Sequence, residues 1–151
     1  PNGVEVQQAG IFRAVLRPPR LLISELTLYR RVRHAAEVSS SPEDYRSYIR
    51  SSRGEFSCVK PSCIRFQNAW ISDRTLCYLA SGKPAVVQNT GPSRLLPNDA
   101  GLFRFSNMKE AGQAFDTINA DYEKQCRNAR QIAESIFDAR KILDSMLSLA
   151  C

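Results

Sequence analysis

The amino-acid sequence predicts an α/β domain built on a parallel sheet flanked by helices, with an incomplete sheet and a helical C-terminal tail. Three observations predict it. Short apolar runs of strand type alternate with helical stretches from residue 43 onward. Three such runs stand out, whereas a full doubly wound domain has about six strands. Beyond Ser106 or Asn107 the chain reads as helix nearly to its end, breaking near Asp121 and Asp138, which are suited to cap new helices.

Each element has its own signal. Residues 1–41 are poorly defined and form one segment, and residues 42–151 form the domain. Within the first segment, Val4 to Gln7 and Ile11 to Leu16 have strand character. Leu22, Leu26, Tyr29 and Val32 fall at helical spacing within 21–38. Ser41 is placed to cap a helix with Pro42 at its first position and Glu43 and Asp44 in its first turn, running to about Ser52 with Tyr45, Tyr48 and Ile49 on one face. Gly54 ends it. Glu55 to Lys60 read as a strand with Phe56 and Cys58 on one face, and Pro61 opens a loop over 61–69. A buried helix is expected over 71–81, closed by Gly82. Ala85-Val86-Val87 and Leu102 to Phe105 complete the strands, the first followed by the turn Asn89-Thr90-Gly91-Pro92.

Composition narrows the classes of function. The chain has 151 residues, 43% of them hydrophobic, and no apolar run approaches a membrane span. It opens Pro1-Asn2-Gly3, without Met or a signal-type sequence, as expected of a processed chain or a piece of a longer one. Net charge is +6; residues 1–75 carry 12 Lys and Arg against 7 acids, and residues 76–151 carry 9 against 8. The basic half suits an anionic partner or a solvated basic surface equally. The 5 cysteines include no Cys-x2-Cys pair and there is a single His, His34, so neither a zinc site nor a His-dependent nucleophile is expected. Cys58 and Cys77 read as small buried hydrophobes, and Trp70 as core. This use of cysteine suits a reducing cytoplasm.

Ligands of open α/β sheets bind at the carboxyl ends of the strands. Those ends point to Lys60 with the loop after it, to the turn carrying Thr90 and Gly91, and to the first turn of the 71–81 helix with Ser72, Asp73 and Arg74. A helix amino end offers free amides and a partial positive charge, and Lys60, Arg65 and Arg53 could add cations, so a diphosphate is the expected ligand. Each residue also has a purely structural role open to it. Ser72 and Asp73 would serve as caps, Arg74 as an ion-pair partner, and Gly91 as a turn residue. Glu55 could be a buried partner for Arg53 or Arg74.

A longer stretch carries a resemblance. Tyr45-Arg46, Tyr48-Ile49-Arg50, Ser52 to Ser57, Lys60 and the block Trp70 to Gly91 resemble the C-terminal part of bacterial glycosyltransferase-like proteins. Leu96-Pro97, Gly101-Leu102, Phe105 and Asn119 to Tyr122 extend the likeness across residues 42–147. The resemblance implies half of the two-domain GT-B architecture, the Rossmann-like half that holds a nucleotide-sugar donor by its diphosphate. It implies no further cofactor, and an acceptor-binding domain that this chain lacks. Lys60 and Arg74 would then stabilise the departing nucleoside diphosphate. One departure is clear: related retaining enzymes carry Glu-x7-Glu across this helix, and the corresponding positions here are Ala69 and Cys77.

Two alternatives remain beside this reading. A non-catalytic interaction module derived from such a core would dimerise or pair with another domain through its incomplete sheet. Nucleic-acid binding through Tyr29, Arg30, Arg31 and Arg33 ranks third, because no recognised motif surrounds them.

Overall fold

The computed structural model describes residues 33–150. The strand and helix expectations over 4–7, 11–16 and most of 21–38 lie outside them. The elements in chain order are α1 (Ala35–Val38), α2 (Pro42–Ser51), β1 (Glu55–Ser57), α3 (Pro61–Phe66), α4 (Asp73–Ala80), β2 (Ala85–Gln88), β3 (Leu102–Phe105), α5 (Met108–Ala120), α6 (Tyr122–Ile136) and α7 (Ala139–Ala150).

The strands form one parallel sheet in the order β1-β2-β3, with Glu55 opposite Ala85 and Ala85 opposite Leu102. Alternation along the strands sends side chains to both faces. Ala85, Val87 and Leu102 pack with Leu79 of α4 and Ala129 and Ile132 of α6. Val86, Phe103 and Phe105 pack with Ala111, Ala114 and Ile118 of α5, and Phe56 joins them, stacked on Phe105 at 5.4 Å. The domain is therefore three layers deep, and each face of the sheet is closed by helix. At the outer edge of β3, the Asn98 side chain accepts the Arg104 backbone N–H at 2.7 Å, which blunts that edge against further pairing.

Capping explains the helix starts. Ser41, Ser72, Asn107 and Asp121 each accept a first-turn amide of α2, α4, α5 and α6. His34 does the same for α1, accepting the Ala36 N–H through Nδ1 at 3.3 Å. Gly101 is required by packing: its φ is +77°, and a Cβ there would overlap the α6 backbone at Asn128 and Ala129.

Four expectations need correction. The loop read over 61–69 contains α3, because Pro61 occupies a first helical position, where proline starts a helix as readily as it breaks one; Gln67 at φ +49° then ends it. β1 stops at Ser57, so Cys58 lies beyond the strand and is exposed. Cys77 is also exposed, on the solvent side of α4. Trp70 lies outside the core at 44% exposure, in the irregular segment before α4.

Candidate functional site

The chain leaves β1, forms α3 and enters α4 at the end of the sheet where β2 terminates. Backbone and side-chain bonds knit this end together. The Val59 N–H donates to Gln88 Oε1 at 3.1 Å. The Ala69 N–H donates to the Thr90 carbonyl at 3.1 Å, and the Thr90 hydroxyl returns a bond to the Trp70 carbonyl at 2.7 Å. The Asn89 N–H donates to the Phe105 carbonyl at 2.8 Å. Gly91, at φ +123°, lets the turn pass so close to Gln67 that a Cβ would stand 2.5 Å from its carbonyl.

Ser72, Asp73, Thr90 and Gly91 are brought to this end, and Lys60 follows β1 onto it. Their roles differ. The Ser72 hydroxyl accepts the Thr75 N–H at 3.2 Å, which leaves the Asp73 and Arg74 amides as the first-turn donors without an intrahelical acceptor. Asp73 is exposed. Thr90 and Gly91 are buried and shape the turn, with the Thr90 hydroxyl committed to Trp70. Lys60 is exposed and supplies only its backbone to the start of α3.

Arg74 contributes its amide here, but its side chain turns toward the first residue of β1. Its Nε donates to Glu55 Oε1 at 2.8 Å, with the Arg74 side chain 31% exposed and the Glu55 side chain 3% exposed. Among the described residues Glu55 Oε2 is buried with no hydrogen-bond partner. Tyr45 and Tyr78 stand near this pair. Burial pushes the Tyr78 phenol up to about 12, with the Ser52 hydroxyl pulling it partly back. Burial also raises Tyr45, reinforced by Cys77 and partly offset by Arg74.

Sequence reasoning missed Arg104. Its Nη2 donates to Asn89 Oδ1 at 2.7 Å and to the Gly91 carbonyl, so it braces the turn after β2. Both partners are neutral, and among the described residues it has no carboxylate partner. The signal was a charged residue inside the apolar run Leu102-Phe103-Arg104-Phe105, one position before the strand's carboxyl end. The chemistry on offer is anion binding: free amides, Lys60 and an uncompensated guanidinium on the ligand side of a parallel sheet. Among the described residues no three His, Cys, Asp or Glu side chains gather where they could hold a metal ion, and no helix is long and apolar enough to cross a membrane.

Comparison with family models, with curated proteins and with solved structures gives no match to any of them.

Proposed function

We propose that this chain is a glycosyltransferase-like domain that holds a nucleotide-sugar donor through its diphosphate and works with an acceptor-binding domain. The observation that carries this reading is Arg104, a half-buried cation at the strand carboxyl ends whose protein partners are neutral oxygens. The amides of Asp73 and Arg74 and the ammonium of Lys60 add donors on the same side. As the bond from sugar to diphosphate breaks, negative charge collects on the departing phosphate oxygens. Fixed amides and cations stabilise that charge more than they stabilise the intact donor, and this difference lowers the barrier. The residue pattern from Trp70 to Gly91 supports this choice of ligand over other diphosphates.

Thermal melts with uridine, guanosine and adenosine diphosphates at millimolar concentration test the reading. At least one should raise the melting temperature, and Arg104→Gln should shrink the rise, as about tenfold weaker binding requires. If none of them stabilises the fold, the donor-binding role fails.

One observation favours a second reading, a non-catalytic interaction module. α7 buries no residue, and Ile142, Leu143, Met146, Leu147 and Leu149 form an apolar stripe on it that is 42–86% exposed. Light scattering should then show a dimer that Leu143→Glu with Leu147→Glu dissociates. A strictly monomeric chain would reject it.

A further inference from the structure

A groove lies at the other end of α4, remote from the strand carboxyl ends. It has a volume of about 710 Å³ and runs between α2 and the last turn of α4, bordered by α6. Its floor is small or apolar, with Ile49, Cys77 and Ala80. Its walls carry Arg46 and Arg50 from α2 and Arg130 from α6, and no acidic residue lines it. Arg130 is already engaged by Glu134 and the Ala80 carbonyl. Arg46 and Arg50 are exposed, stand four residues apart on one helix face, and form no ion pair among the described residues. Two like charges at that spacing repel one another, and an external anion relieves the repulsion.

The geometry points to this groove as the docking site for an acidic amphipathic helix of another protein. Charge selects the sign of the occupant. Two further segments of this chain carry the wrong sign for it. α7 carries Arg140 and Lys141 against Asp144, and residues 1–32 carry Arg13, Arg17, Arg20, Arg30 and Arg31 against Glu5 and Glu25. Neither a second copy docking through α7 nor the chain's own N-terminal segment matches the arginines. The helix end on the wall selects between kinds of anion. It is the carboxyl end of α4, where the Ser81, Gly82 and Lys83 N–H groups and Arg130 are spent on the last carbonyls, so a compact phosphate on the floor would find no free backbone donor. Carboxylates spread along a helix reach the rim arginines without approaching those carbonyls, while apolar side chains rest on Ile49 and Ala80. The inference is independent of the diphosphate site.

The test uses the chain with two synthetic helical peptides, one of Leu, Ala and Glu and the same peptide with Lys in place of Glu. Binding is read by fluorescence anisotropy. The Glu peptide should bind saturably and the Lys peptide should not. Arg46→Glu with Arg50→Glu should weaken binding at least about tenfold, as should about 0.5 M salt. Ala80→Trp, which fills the floor without changing charge, should block the peptide. Both variants change exposed positions, and both should keep the wild-type melting temperature and its response to nucleoside diphosphate. Absence of saturable binding up to about 1 mM, equal binding of both peptides, or indifference to both variants overturns the proposal. Displacement of the peptide by pyrophosphate, lost in the arginine variant, overturns it in favour of a phosphate site.

Discussion

The two ends of α4 carry similar side-chain charge in opposite backbone fields. At the amino end, Arg104, Lys60 and the first-turn amides share the strand-carboxyl side of the sheet with one exposed acid, Asp73, and a compact anion meets mainly positive potential. At the carboxyl end, Arg46 and Arg50 line a groove with the last turn, whose carbonyls are already bonded by Ser81, Gly82, Lys83 and Arg130, and a compact anion finds no free backbone donor there. A count of arginines does not distinguish these two places. The direction of one eight-residue helix does. Between them lies the Glu55–Arg74 pair, which belongs to neither end and fixes how α4 sits on β1.

The sharpest way to break the amino end while sparing the other is Gly91→Ala. The new Cβ would meet the Gln67 backbone at a φ that L-residues avoid. We expect a loss of about 3–4 kcal/mol in urea denaturation, together with loss of nucleoside diphosphate binding. Next in size is an asymmetry inside the ion pair. Arg74→Ala strands the Glu55 carboxylate on a side chain that is 3% exposed, whereas Glu55→Ala strands the Arg74 guanidinium on a side chain that is 31% exposed and can hydrate. The first should cost about 3 kcal/mol and the second about 1 kcal/mol. Equal costs would mean that Glu55 is not held as a buried charge. Glu55→Gln keeps the acceptor for Arg74 Nε but removes the counter-charge and buries an amide NH2 where Oε2 has no partner among the described residues, so it should cost at least as much as Glu55→Ala.

Tyr78 packs in the middle of α4 and gives a pH signature. Its folded value, about 12, lies above the ordinary phenol value of about 10. The folded state therefore holds its proton longer than the unfolded state. Its contribution is fully present below pH ~10 and is lost as pH rises toward about 12, a fall of about 2 kcal/mol. Melts between pH 9 and pH 12 should show a shallower decline for Tyr78→Phe than for the wild type, with the residual slope reporting Tyr45 and Tyr122, which burial raises as well.

Local chemistry made most of the described fold legible. The Ser41-Pro42 and Ser72 caps, the Ala85 to Val87 run and the Asn107 and Asp121 breaks declare themselves within a few residues. Features decided across the chain stayed hidden. α3 was obscured because proline marks helix starts and loops alike. Cys58 and Cys77 are apolar in sequence context, yet one lies past a strand end and the other faces outward. At the site, Ser72 and Gly91 could be placed, but the direction of the Arg74 side chain depended on Glu55, 19 residues earlier. Arg104 needed the fold to bring it against Asn89 and Gly91. A long cation's target is a tertiary fact, while a cap is a local one.

Binding measurements then sharpen the contrast between the two ends at smaller effect. Arg104→Gln keeps a donor for the turn but removes the charge, and should weaken diphosphate binding about tenfold. Arg46→Gln with Arg50→Gln should leave diphosphate binding within a factor of about two, because those charges sit at the far end of α4. The smallest effect belongs to Lys60→Ala. Its side chain is exposed and makes no bond among the described residues, so removing it should cost no stability, and any contact it gives a diphosphate is well hydrated. The expected loss is about threefold in Kd by calorimetry, disappearing at about 0.5 M salt, where exposed charges are screened. A loss that persisted at high salt would place Lys60 in a desolvated contact, with the segment between β1 and α3 closing over the ligand.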